Sequence, residues 1–72
     1  MFEFVMKNRV KQIRKASGLT QNDLAFLSGI SQNSISSLET GQYSPTAFNA
    51  LKICNALQCK FEECFYLDLE NK

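Results

Sequence analysis

A chain of 72 residues, 44% hydrophobic and 21% charged, has the size and composition of one small globular domain, neither disordered nor multidomain. No apolar run approaches the ~18 residues of a membrane span, and the opening MFEFVMKNR lacks the order of a secretory leader, so a cytoplasmic location without membrane contact is expected. The formal net charge is only +1, yet residues 1–36 carry five basic against two acidic side chains and residues 37–72 carry three against five, which gathers cationic character in the first half.

Breakers and caps divide the chain into short helices. Met6, Val10, Ile13 and Ser17 recur at helical spacing and predict a first helix over residues 5–17, ended by Gly18 in a left-handed position. A second begins after Thr20, where Thr20 and Asp23 are spaced as a capping box. Leu24, Ala25 and Leu27 form its inner face, and Gly29 stops it. A third begins after the N-cap Ser31, buries Ile35 and Leu38, and ends at Gly41. A fourth follows Pro45 with Thr46 as cap and runs through Leu51, Ile53 and Cys54 to Leu57. A short fifth covers residues 61–65, and residues 66–72 extend it or fray. No alternation of strand length is read between these breakers. The expected fold is therefore all-α, a compact five-helix bundle forming a single domain over residues 1–72.

The chemistry concentrates at residues 20–40. The link Ser28-Gly29-Ile30-Ser31 is short enough to force a tight corner between the second and third helices. Gly29 can take positive φ, and Ile30 can plug the corner. On the third helix, Ile35 and Leu38 point one way while Gln32, Asn33, Ser36, Ser37 and Thr40 fan across the other. An ordinary solvated helix face carries Lys and Glu. This one carries amides and hydroxyls, which donate and accept hydrogen bonds as base edges in a major groove require.

With these residues in view, the chain resembles the Cro/cI-type (Xre-like) helix-turn-helix family of phage repressors and bacterial regulators. The matching residues are Arg14, Gly18-Leu19-Thr20-Gln21, Leu24-Ala25, Gly29-Ile30-Ser31, Ile35-Ser36, Leu38-Glu39, Gly41, Pro45, Leu51-Lys52-Ile53 and Ala56-Leu57, spread over residues 6–65. The resemblance implies a lambda-repressor-like bundle with its third helix in the major groove of double-stranded DNA. It implies base contacts from Gln32, Asn33, Ser36 and Ser37, with adenine the base expected opposite Gln32. It implies that Gln21 holds a phosphate and braces Gln32, and that Thr40, Gln42, Tyr43 and Ser44 touch the backbone after the third helix. Thr20 and Ser31 stand at helix starts, where backbone amides also suit phosphate. Arg14 and Glu39 match a pair that joins the first and third helices in the family. A homodimer on a palindromic operator, acting as a repressor, is the expected state.

Several features depart from that pattern. Between Ala16 and Leu51 there is no Lys or Arg, so cationic phosphate contact falls to the first helix, where Lys7, Lys11 and Lys15 share a face; a solvated face is the alternative for them. Weak binding per domain and a shallow salt slope are expected. Gln58 stands where the family often has Gly, so either it is left-handed or the helix ends differently. Phe48 and the apolar residues of the ends, 1–5 and 66–72, either form a dimer contact or fold back over the core.

Cys54, Cys59 and Cys64 are odd in number, with no His and no C-x-x-C pair, so reduced core thiols are expected rather than a disulfide framework or zinc site. They also fall where the family has Ala, Val and Leu. No metal, cofactor or small-molecule ligand is expected. Nor is an enzyme, since no nucleophile–base arrangement or Gly-rich phosphate loop is present. Two other readings stay open: an antitoxin or phage or mobile-element switch, and a protein-interaction module that has lost DNA binding.

Overall fold

The computed structural model describes residues 1–71. Its elements in chain order are β1 (Phe2–Asn8), α1 (Val10–Ala16), α2 (Gln21–Ser28), α3 (Gln32–Glu39), α4 (Ala47–Leu57), α5 (Phe61–Cys64) and β2 (Phe65–Asn71). Helices two to five fall close to where caps and breakers place them, while the first starts at Val10 rather than residue 5. The all-α expectation is nevertheless overturned: the two ends pair as an antiparallel two-stranded sheet, and the fold is α+β.

The sheet explains why the first helix is shorter than expected. Residues 2–8, FEFVMKN, are extended, in register with residues 65–71 from Phe2↔Asn71 to Asn8↔Phe65. Asn8 makes the corner from strand to helix. Its side-chain Oδ1 accepts the Val10 N–H at 3.1 Å, and its Nδ2 donates to the Leu38 carbonyl of α3 at 3.1 Å. The Arg9 N–H donates to the Cys64 carbonyl at 2.8 Å and pins the start of α1 to the end of α5. Met6, assigned from spacing to the inner stripe of a helix, therefore lies on a strand, and Lys7 leaves the helix to pair with Glu70 across the sheet at 3.0 Å.

One core lies among the helices: Val10, Leu24, Ile30, Ile35, Leu38, Ala50, Ile53, Cys54, Leu57, Cys64 and Phe65. Four residues expected on inner faces are exposed: Met6, Ser17, Leu27 and Leu51. The buried stripe of α2 runs through Leu24 and Ser28, one turn apart, and that of α4 through Ala50, Ile53, Cys54 and Leu57 at i, i+3, i+4 and i+7. Each phase turns the neighbouring leucine outward. Ser28 can be buried because its hydroxyl accepts the Ile30 N–H at 3.3 Å and donates to the Ala25 carbonyl at 3.5 Å.

The caps act as their sequence implies. Thr20 Oγ1 accepts the Asp23 N–H at 3.0 Å while the Asp23 carboxylate accepts the Thr20 N–H at 2.9 Å. Ser31 and Thr46 accept the N–H groups of Ser34 and Asn49. Gln58 resolves to the left-handed conformation, φ 55°, the one non-glycine with positive φ among the described residues. Its geometry lets the Cys59 N–H reach the Cys54 carbonyl at 3.1 Å and close α4. An L side chain there costs roughly 1–2 kcal/mol, part of which a glycine returns as unfolded-chain entropy. Gln58→Gly should therefore raise stability by about 0.5–1 kcal/mol in urea unfolding, and Gln58→Val should lower it. A glycine variant with a lower midpoint would show that this turn is unstrained.

Candidate nucleic-acid interface

The bend between α2 and α3 is built from three residues. Gly29 caps α2 at φ 72°, and its N–H bonds the Ala25 carbonyl at 2.9 Å. Ile30 is buried and fills the inside of the corner. Ser31, extended, starts α3 with its hydroxyl on Ser34. The last turn of α2 has no basic residue of its own. Lys52 of α4 supplies one: its Nζ lies 3.7 Å from where a Cβ would stand on Gly29, putting a cation beside the negative end of the α2 dipole. Sequence spacing gave no sign of this role for Lys52.

Burial of Ile35 and Leu38 fixes the phase of α3. Gln32 and Asn33 are exposed at its start, and Ser36 and Ser37 are half-buried one turn on. Thr40, Gln42 and Ser44 are exposed in the following segment, where Tyr43 is half-buried and its hydroxyl accepts from Asn49 Nδ2 at 3.3 Å. The Thr40 hydroxyl and the Gln42 N–H both donate to the Ser37 carbonyl, at 3.0 and 2.9 Å, which folds this segment against the end of α3. Thr20 is exposed at the start of α2, as are Lys11 and Lys15 on α1.

Glu39, the one ionisable residue of α3, is folded under the helix with its side chain 2% exposed. Arg14 grips it with two bonds, Nε to Oε2 at 2.7 Å and Nη2 to Oε1 at 3.1 Å, the planar bidentate geometry that makes such pairs strong. Arg14 Nη1 also donates to the Leu19 carbonyl at 2.8 Å. Gln21 Nε2 donates to Glu39 Oε1 at 3.1 Å. The amide expected to brace Gln32 thus braces Glu39 instead, and no hydrogen bond joins Gln21 to Gln32 among the described residues. Through Glu39 the start of α2, the end of α3 and the middle of α1 are held together, and Lys11 lies close enough to add favourable charge.

Burial pushes the Glu39 carboxyl up, but hydrogen bonds from Arg14 and Gln21 and the charges of Arg14 and Lys11 outweigh it and hold the group below the ordinary glutamate range. The bond to Glu39 outweighs desolvation of Arg14 and keeps the guanidinium firmly protonated. Hydrogen bonds from Thr20, the backbone N–H first, hold Asp23 below its usual value. Its exposed carboxylate adds a negative charge at the start of α2.

Away from this face, the thiols of Cys54, Cys59 and Cys64 converge, with sulfurs all within 4.8 Å of one another. All three are free, Cys54 and Cys64 buried and Cys59 half-buried. Their spacing of five residues gave no warning of this, because the left-handed turn at Gln58 brings them together.

A tight bend between two eight-residue helices, the second offering an uncharged hydrogen-bonding face, defines a DNA-binding helix-turn-helix module. The chain belongs to the helix-turn-helix family, whose profile matches residues 10–64, and within it to the Xre-like regulators of Cro/cI type. It is similar to YgzD of Bacillus subtilis (strain 168), described as an uncharacterized HTH-type transcriptional regulator, at 39% identity over 92% of this chain and 100% of the relative. It is also similar to the HTH-type regulator MJ0272 of Methanocaldococcus jannaschii, at 40% identity over 83% of this chain and 91% of that one. Among solved structures, the restriction-modification controller protein C.AhdI from Aeromonas hydrophila superposes with a TM-score of 0.73 at 37% identity, over 75% of this chain and 82% of that chain.

Removing one partner of the Arg14–Glu39 pair leaves a buried charge alone. Glu39→Gln or Arg14→Met should each cost about 3–5 kcal/mol, and the double variant less than either. A double-mutant cycle without coupling would refute the pairing. Because the folded Glu39 pKa is depressed, its stabilisation is complete above the ordinary value of 4.5 and is lost as pH falls through the folded value. Glu39→Gln should remove that part of the acid slope.

Proposed function

We propose that the protein is a sequence-specific regulator of transcription that binds a palindromic operator as a homodimer, with α3 in the major groove, and acts as a repressor. The observation that carries this reading is the face of α3: amides and hydroxyls outward, its one charge drawn under by Arg14. Gln32 and Asn33 read base edges, and Ser36 and Ser37 adjust to the bases beside them. Thr20, Gln21, Ser31, Thr40, Gln42, Tyr43 and Ser44 supply phosphate contacts around the helix starts and after α3, those of Thr20, Thr40 and Gln42 from side chains because their N–H groups are taken by Asp23, Ser36 and Ser37, and Lys11 and Lys15 add charge from α1. The side chain of Gln21 is already committed to Glu39, so its contribution to phosphate is the backbone N–H of the first turn. Repression needs no more than occupancy of a site. The likeness to a restriction-modification controller supports control of gene expression.

The sheet supports the dimer. Its alternation puts Phe2, Phe4, Met6, Leu67 and Leu69 on one face, all exposed, Phe4 at 70% and Leu67 at 67%. Glu3, Lys7, Asp68 and Glu70 take the other. A lone two-stranded sheet is marginal in water, and an apolar face of this kind is stabilised by being covered. A hollow lined by Met6, Phe61, Phe65 and Leu67 continues the face onto α5. A second copy meeting this surface about a two-fold axis fits a palindromic site and gives the ends, residues 1–5 and 66–72, their role.

One observation favours a second reading, a protein-contact module: Phe26, on α2, is 87% exposed. The DNA reading stays ahead because α3 offers no aromatic anchor of the kind that dominates protein interfaces.

Two experiments decide. Selection from random duplexes should enrich an inverted repeat, and Gln32→Ala should relax one position in each half-site by about 1–3 kcal/mol, with a shallow salt slope throughout. No enrichment at low salt would sink the DNA reading. In sedimentation, Leu67→Glu should give a folded monomer whose affinity for the full repeat falls at least tenfold, while Phe48→Glu leaves the dimer intact. A Leu67→Glu protein that is still dimeric would place the interface elsewhere.

A further inference from the structure

Three converging thiols in a chain with only three cysteines invite a ligand that uses all of them. We propose that Cys54, Cys59 and Cys64 form a binding site for trivalent arsenic supplied as arsenite, a thiophilic centre that takes three sulfur ligands and leaves the complex uncharged. The proposal departs from the expectation of core thiols without a ligand, and it stands whether or not the protein binds DNA.

Geometry comes first. Cys54 is on the last turns of α4, Cys64 ends α5, and Cys59 lies in the link between them, just after the left-handed Gln58. The sulfurs lie within 4.8 Å of one another. Three sulfurs with bonds of ~2.3 Å to a pyramidal centre, whose lone pair narrows the angles between them, stand roughly 3.5 Å apart, so closure requires a contraction of up to about 1.3 Å from the 4.8 Å limit. Half-buried Cys59, in the link, is the arm best placed to supply it and to admit the ligand.

Charge then selects among thiophilic ions. Soft thiolates favour Cu(I) and zinc as well. Three thiolates around Cu(I) carry a net charge of −2 and around Zn²⁺ a charge of −1, and zinc also lacks a fourth protein ligand among the described residues. This cluster resists such charge, because Cys54 and Cys64 are 3% and 0% exposed. A buried uncompensated charge is costly, and the trivalent centre avoids it. Three As–O bonds and three S–H bonds break as three As–S bonds form. Each hydroxide leaves with a thiol proton as water, and no atom changes oxidation state.

The test uses the full chain, kept reduced with a phosphine, and sodium arsenite. Native mass spectrometry should show one adduct per chain, heavier by one arsenic less three hydrogens, with all three cysteines protected from alkylation. Cys59→Ala, whose position is not fully buried, should remain folded by circular dichroism and bind at least tenfold more weakly. Four results would overturn the proposal: no adduct, an adduct retaining a hydroxyl on two sulfurs, unchanged affinity in folded Cys59→Ala, or displacement of arsenite by equimolar Zn²⁺ or Cu(I).

Discussion

The buried contact between Arg14 and Glu39 is the constraint on which the interface depends. A carboxylate in α3 with almost no exposure is tolerable only because a guanidinium meets both its oxygens and Gln21 adds a third donor. Arg14 spends its remaining reach on the Leu19 carbonyl, just ahead of α2. The result is a joint in which the position of α3 is set from α1 and α2 together. A purely apolar core would hold α3 against its neighbours but would leave its rotation less specified, since Ile35 and Leu38 alone anchor its inner side. With this phase, Asn33 is turned to the side opposite Ile35 and Leu38, and Gln32, two turns before Glu39, stands exposed at the flank of the first turn.

The same joint removes the only charge from the outer side of α3, and that shapes what the surface can do. Without Lys or Arg between residues 16 and 51, the helix-turn-helix has little counterion release to drive attachment to phosphate. Dipoles remain: the starts of α2 and α3 and the hydroxyls around them. The capping carboxylate of Asp23 works against even that at the start of α2, since what stabilises the helix also repels a phosphate. On the proposed reading such an interface would discriminate sequence better than it holds DNA, and pairing of two copies through the apolar sheet face would offset what each lacks.

Local signals were legible in the sequence and distant ones were not. The Thr20–Asp23 box, the Ser31 and Thr46 caps and the Gly29 stop involve residues within one turn of each other, so residue type alone places them. The pairing of Arg14 with Glu39 was reached through family likeness, because nothing in the spacing of 25 residues requires it. The sheet is illegible for a related reason. Its strands come from opposite ends of the chain, and the alternation Leu67-Asp68-Leu69-Glu70 is too short to outweigh a helical reading of Met6 with Val10 and Ile13 until each strand has its partner. Leu27 and Leu51 were misplaced because helical spacing gives a period without fixing its phase, and a buried Ser28 reads as polar until its two hydrogen bonds are seen.

The sheet is also what would join the two halves of the proposed function. Asn8, at the end of β1, donates to the Leu38 carbonyl at the end of α3, which also accepts the Gly41 N–H. On the adjoining side, Arg9 holds the Cys64 carbonyl just before β2 begins. The ribbon is thus tied by hydrogen bonds to the last turn of α3 and to α5, in addition to its packing through buried Phe65. A partner resting on the outer face of the ribbon would bear on α3 through Asn8, over a path of a few rigid bonds. Spacing between two copies of α3 would then be set by how the ribbons meet, and a change at the ribbon base, where Cys64 lies, would be felt at the helix that carries Gln32.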